Sequence, residues 1–218
     1  MLTMPKDYEN IQFQFTSSSR GTRMGRRVAR NVAEFAPLLN PPIAMIGCGD
    51  GFEVECMLKH FNIPIEQNAV SKQIIGLEVT KNRVEIAQAS HLPVYEGSAE
   101  NILDFVGDIK YNIYCAHTLE HCFNKQATIE SFKKIALDTI VIIVPIELRG
   151  RTRNRAHYSP ISNLGSIANQ FGMDWKITMT YRFNIELEGV VILKRDPMNW
   201  PVKYKGSRNP ELLIKGQF

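Results

Sequence analysis

The sequence predicts an α/β fold: a Rossmann-like, mostly parallel seven-stranded sheet with helices on both faces and its last strand antiparallel. Three observations carry that expectation. From residue 43, short apolar runs alternate four times with amphipathic helical stretches. The first strand passes into its helix through closely spaced glycines, Gly47, Gly49 and Gly51. After residue 172, two β-rich runs flank a polar stretch, as antiparallel strands closing a sheet edge would.

In chain order, IAMIGC (43–48) reads as a buried strand and FEVECMLKHF (52–61) as the helix that follows. QIIGLEV (73–79) and KNRVEIAQA (81–89) repeat the pair. PVYEGS is a short strand, ENILDFVG a short helix and YNIYCAH (111–117) the fourth strand. QATIESFKKIA is helical, and TIVIIVPI (139–146) is the most apolar strand. In SPISNLGSIANQFG, Ser159 can cap, Pro160 suits the first helical position and Gly172 suits the end, so a helix is expected over 159–172. KITMTYRF and GVVILKR, separated by NIELE, complete the sheet. Residues 1–40 are expected to form an N-terminal helical cap, residues 41–195 the main domain and residues 196–218 a tail.

A length of 218 residues suits one well-buried core. With 44% hydrophobic and 22% charged residues and no apolar run near the roughly 20 residues of a membrane span, a soluble chain without membrane contacts is expected. The start, MLTMPKDYENIQFQF, has no secretory pattern, which points to the cytoplasm. Cys48, Cys56, Cys115 and Cys122 match neither a paired CxxC zinc site nor a disulfide framework and read as reduced thiols.

The glycines of AMIGCGDGFE let the backbone turn tightly beside a ligand, and the helix start offers unpaired N–H groups to an anion. The dinucleotide fingerprint GxGxxG is not met, because Phe52 stands where its third glycine belongs. GxGxG suits a smaller anion such as an amino-acid carboxylate. Glu78, ending the second strand, is placed to accept from both hydroxyls of a ribose. A ribose with a carboxylate-bearing arm describes S-adenosylmethionine.

IGCGDG, GLEVTKNRVEIAQ, EGSAENI, HTLEH, and VPI followed by HYSPISNLGSIANQFG together resemble, over about residues 40–195, the class I S-adenosylmethionine-dependent methyltransferases, particularly those modifying small molecules and some RNAs. The resemblance implies methyl transfer to an oxygen or nitrogen, with a small-molecule acceptor favoured. It implies that Gly47, Cys48, Gly49 and Gly51 receive the methionine end, Glu78 and Val79 the ribose, and Ser98 and Ala99 the adenine edge, with His117 also bordering the cofactor. Met45 and Ser98 stand where the family commonly carries acids, which keeps open a non-catalytic S-adenosylmethionine-binding module.

HTLEH follows the fourth strand, whose carboxyl end opens into the cleft of such a sheet. Three readings compete. Glu120, His121, His157 and His117 could bind a divalent metal, Mg or Mn, that lowers the pKa of an acceptor hydroxyl. RNA 3′-terminal ribose methyltransferases of the small-RNA-stabilising type, which carry ExxEH here and a further histidine after the fifth strand, are similar. Alternatively His121 or His117 takes the acceptor's proton directly, as an imidazole of pKa near 6.5 can. The third reading is structural, with the loop tied to its neighbours. Glu120, His121 and His157 are the candidates to face the acceptor.

RNA is the second acceptor class. Arg23, Arg26, Arg27 and Arg30 recur at helical spacing, with Met24, Val28, Val32 and Phe35 on another face. Arg149, Arg151, Arg153 and Arg155 alternate in RGRTRNRAHY, and both groups could grip phosphates or be solvated faces. Trp200 and Tyr204 in the tail could stack on a base or pack over the sheet edge. No DPPY or NPPY motif follows the fourth strand, which disfavours amino-methylation of DNA.

Overall fold

The computed structural model describes residues 22–147, 157–172, 174–183 and 187–195. Seven strands form one sheet in the order β3-β2-β1-β4-β5-β7-β6. They are β1 Ile43–Ile46, β2 Ile74–Glu78, β3 Val94–Glu96, β4 Tyr111–Ala116, β5 Ala136–Pro145, β6 Lys176–Phe183 and β7 Leu187–Lys194. The first five run parallel, and β7 runs antiparallel to both β5 and β6. The order reverses at β1, between β2 and β4, where connections leave to opposite sides and a crevice opens at the strands' carboxyl ends.

Helices α1 Arg23–Phe35, α2 Phe52–His60, α3 Ile65–Ser71, α4 Lys81–Ala89, α5 Ile102–Val106, α6 Lys125–Ile135 and α7 Gly165–Ala168 flank the sheet. Strand alternation divides the core in two. Ala44 and Ile46 of β1 point to the face covered by Ile102 and Val106 of α5, Ile129, Phe132 and Ile135 of α6, and Ile167 of α7. Ile43 and Met45 point to the other, covered by Val32 and Phe35 of α1, Val54 and Met57 of α2, and Val84 and Ala87 of α4. Thr22 caps α1 by accepting from the Gly25 N–H at 3.0 Å, and Asn124 caps α6 by accepting from Ala127 at 3.0 Å. Among the described residues no helix is long and apolar enough to cross a membrane.

Two elements depart from the sequence reading. The helix expected over 159–172 is reduced to Gly165–Ala168. Ser159 does not cap it: its N–H donates to the Glu120 carbonyl at 2.9 Å and its hydroxyl to that of Cys122 at 2.8 Å. Asn163 instead accepts from Ser166 N at 2.9 Å, while Ile161 and Leu164 are drawn into the core. Helix α3, not expected from the apolar pattern, exists to present Asn68. Its side chain donates to the Ile74 carbonyl and accepts from the Ile74 N–H, at 2.7 and 2.8 Å, fixing the start of β2.

Candidate functional site

At the carboxyl end of β1 the chain turns through Gly47, whose N–H donates to the Leu77 carbonyl at 2.7 Å. Gly47 has φ +70°, and a Cβ there would lie 2.0 Å from the Thr118 hydroxyl oxygen, so both conformation and space demand glycine. Gly51 is glycine for another reason: a Cβ would lie 2.8 Å from Leu92 and 2.9 Å from Ala87, so it lets α2 settle against α4 and the turn before β3.

Glu78 is buried and organises this turn. Its Oε2 accepts from the Gly49 N–H at 3.0 Å and its Oε1 from the Thr80 N–H at 2.9 Å, with Arg83 Nη1 3.9 Å away. An ionised carboxylate has about four acceptor positions, so these bonds leave capacity for a ligand's hydroxyls.

The carboxyl ends of β1 to β4 enclose a cavity of about 590 Å³. Gly47, Leu77 and Val79 form one side, and residues 97–101 with Asp104 another. Thr118, the segment 121–124 and Ala127 complete it. Of the residues expected at a cofactor, Gly47, Val79, Ser98 and Ala99 line the cavity, whereas Cys48, Gly49, Gly51, Glu78 and His117 are not part of its lining. The Ser98 hydroxyl accepts from Glu100 N at 3.2 Å, starting the short turn that leads to α5. Asp104, Phe123 and Asn124 line the cavity without having been singled out from the sequence. Asp104 was hidden inside a run that reads simply as helix. The Cys122 thiol also borders the cavity, and burial pushes its pKa up to about 12, so it presents a neutral group.

HTLEH leaves β4 in an unusual way. His117 has φ +52°, held by its N–H bond to the Ile143 carbonyl at 2.7 Å. Leu119–His121 then forms one 3₁₀ turn. Glu120 is 1% exposed, His121 lines the cavity and His157 reaches the same place from beyond β5. One ligand atom from each of Glu120, His121 and His157 lies within 4.8 Å of the others, and the rings of His121 and His157 stand edge to face at 4.8 Å. His157 Nδ1 is hydrogen-bonded to Glu147, which lies just beyond the span read from sequence as the fifth strand.

His117 is not in that cluster. Its Nε2 lies 3.1 Å from Glu188 Oε1, and its Nδ1 is 3.9 Å from Glu120, too long for a hydrogen bond. Glu188, fully buried on β7, also meets Arg182 Nε at 2.8 Å and Arg27 Nη1 at 3.6 Å. Burial opposes its ionisation, but the hydrogen bond and charge of His117, then Arg182 and Arg27, overcome that and bring its carboxyl down to about 2. Nearby, burial pushes Glu53 up to about 8, against the pull of Arg27 and a hydrogen bond with Tyr114.

This network corrects the expected arginine stripe. Arg27 is buried and paired with Glu188, because the inward face of α1 carries Arg27 and Asn31 as well as Val32 and Phe35. Arg23, Arg26 and Arg30 are exposed. Arg149, Arg151, Arg153, Arg155, Trp200 and Tyr204 lie outside the described residues.

No family model matches the sequence. No curated protein matches it. Solved structures do share its fold. Plantazolicin methyltransferase BamL, in complex with a triazolic desmethylPZN analog and SAH, aligns with a TM-score of 0.63 at 13% identity, over 88% of this chain and 92% of its own. Magnesium protoporphyrin IX methyltransferase (ChlM) from Synechocystis PCC 6803 with bound SAM aligns at 0.58 and 13% identity, over 89% of this chain and 100% of its own. The methyltransferase domain of the bacterial CtHen1-CN aligns at 0.57 and 14% identity, over 78% of this chain and 97% of its own. The chain has the fold of the class I S-adenosylmethionine-dependent methyltransferases.

Proposed function

We propose that the chain binds S-adenosylmethionine in the cavity and transfers its methyl group to an oxygen or nitrogen of a small-molecule acceptor. The observation that carries this reading is the cavity itself. It lies at the carboxyl ends of β1 to β4, has room for one nucleoside-sized ligand, and is bounded by Gly47 and Val79 on one side and Ser98 and Ala99 on another. Counterparts of the same fold hold SAM or SAH. The sulfonium activates the methyl group, so the protein's task is to bring acceptor, carbon and sulfur into line, and orientation supplies much of the acceleration. Small acceptors are favoured because two fold counterparts are methyltransferases named for plantazolicin and magnesium protoporphyrin IX.

Glu120, His121 and His157 face the acceptor side and have two uses. They can take the acceptor's proton, or they can hold a divalent ion such as Mg or Mn. Ligands at about 2.1 Å from one ion are about 3.0 Å apart when adjacent and about 4.2 Å apart when opposed, so three atoms within 4.8 Å of one another meet an ion by closing in by up to about 2 Å. Such an ion would lower the pKa of an acceptor hydroxyl.

Titration calorimetry tests the cofactor. S-adenosylhomocysteine is expected to bind once per chain, and absence of binding by it and by S-adenosylmethionine overturns the proposal. An RNA acceptor is the second reading, favoured by the exposed Arg23, Arg26 and Arg30 and by the CtHen1-CN counterpart. It requires RNA binding that weakens steeply with salt and flattens when those arginines are replaced.

A further inference from the structure

Taking the divalent-ion reading as given, we infer that Glu147 is a positioning residue that holds His157 by Nδ1 and so presents its Nε2 to Glu120 and His121. The carboxylate is placed by backbone bonds at its own residue and at the one before it. Ile146 N donates to the Leu187 carbonyl at 2.8 Å and Glu147 N to the Ile161 carbonyl at 2.9 Å, which ties the end of β5 to two other segments. From that anchor the Glu147 side chain, 18% exposed, meets the His157 ring, 11% exposed. Water competes little for a bond so placed.

A neutral imidazole that donates Nδ1–H to a carboxylate keeps its lone pair on Nε2 and becomes a better ligand. His157 is fixed from its other side as well. Two residues on, Ser159 bonds to the carbonyls of Glu120 and Cys122, strapping this segment to the turn that carries Glu120 and His121. Backbone straps set where the ring is, and Glu147 sets which nitrogen points inward. The second oxygen of Glu147 is buried and makes no hydrogen bond among the described residues, so the hydrogen bond to His157 Nδ1 is the use this carboxylate has there. A glutamate that merely tied residue 157 to the end of β5 would affect stability and leave ion affinity unchanged.

The test uses the full chain after chelation, titrated with Mn²⁺ and followed by the electron paramagnetic resonance of the free ion. S-adenosylhomocysteine binding serves as a control for the cavity. Glu147→Ala is expected to weaken Mn²⁺ binding about 10- to 100-fold. Glu147→Gln, whose amide oxygen can still accept from Nδ1–H, should lose less, and both should bind S-adenosylhomocysteine within about twofold of the parent.

Equal Mn²⁺ affinity in the parent and both variants overturns the role of Glu147 and leaves the ion site standing. A parent that binds S-adenosylhomocysteine and no Mn²⁺ removes the ion site and this role together, while cofactor binding survives. Nitrogen-resolved imidazole spectra of the ion-free parent need no variant. They should show His157 protonated on Nδ1, and an Nε2–H tautomer also overturns the role.

Discussion

Around Gly47 the cavity is shaped by backbone: N–H groups, a turn at positive φ, and a carboxylate whose partners are main-chain amides. Around Glu120 it is shaped by ionisable side chains from the turn after β4, the segment after β5 and, through His117, β7. The first half turns on three closely spaced glycines and tolerates almost no change of residue at Gly47. The second is assembled from distant segments and depends on matching charges. Perturbations should therefore separate the two: one kind abolishes ligand binding, the other dismantles charge balance with the cavity intact.

The largest effect is expected at Glu188. Glu188→Ala removes the buried carboxylate that His117, Arg182 and Arg27 share and should cost about 3–5 kcal/mol in urea unfolding. S-adenosylhomocysteine affinity of the folded fraction should change little; if it collapses, the two halves are not separable. Gly47→Ala should cost about 2–3 kcal/mol and reduce S-adenosylhomocysteine affinity by at least about tenfold, since the new Cβ meets Thr118 and positive φ is strained. Adding Thr118→Gly should recover only the steric part.

Comparable in size is the dependence of stability on pH. Glu188 is held at about 2, below its ordinary 4.5, so its ionised form stabilises the fold above pH 4.5 and that contribution is lost as pH falls from 4.5 towards 2. Glu53 is held at about 8, so the folded chain keeps a proton that the unfolded chain releases, and stability declines as pH rises from 4.5 to 8. Each slope is on the order of 3–5 kcal/mol at most, placing the maximum in mildly acidic solution. Glu53→Gln should flatten the alkaline slope alone; an unchanged slope would show that Glu53 is not its source. Smallest is Ser98→Ala, expected to weaken S-adenosylhomocysteine binding by no more than about threefold, because the hydroxyl is already engaged with Glu100 N.

The division also explains what was legible in the sequence. The strand and helix alternation and the glycine turn follow from periodicity and from residues a few positions apart, and β6 and α4 occupy the spans read for them. HTLEH revealed Glu120 and His121 because they share one short turn. His117 looked like their companion, yet its partner is Glu188, 71 positions away in a stretch that reads as a polar link. Arg27 reads as one of a solvent-facing set because helical spacing records which residues share a face and says nothing of what that face meets. Glu147 carried no local signal, since only the return of the chain at His157 gives its carboxylate a purpose. Ser159 satisfies every rule for a helix start and was recruited by the loop carbonyls instead.

Arg182 reaches Glu188 on its own hairpin and Glu34 and Asn31 on α1, at 2.8, 2.5 and 2.7 Å, with its guanidinium over the Phe35 ring at 5.0 Å. The opening helix and the closing hairpin are thereby clasped by one cation. A shortened chain starting after Phe35 would leave that cation facing an empty flank, and the anchor of His117 would loosen with it. Helix α1 is a keystone of the edge that carries Glu188, to be retained whole in any minimised version of the protein.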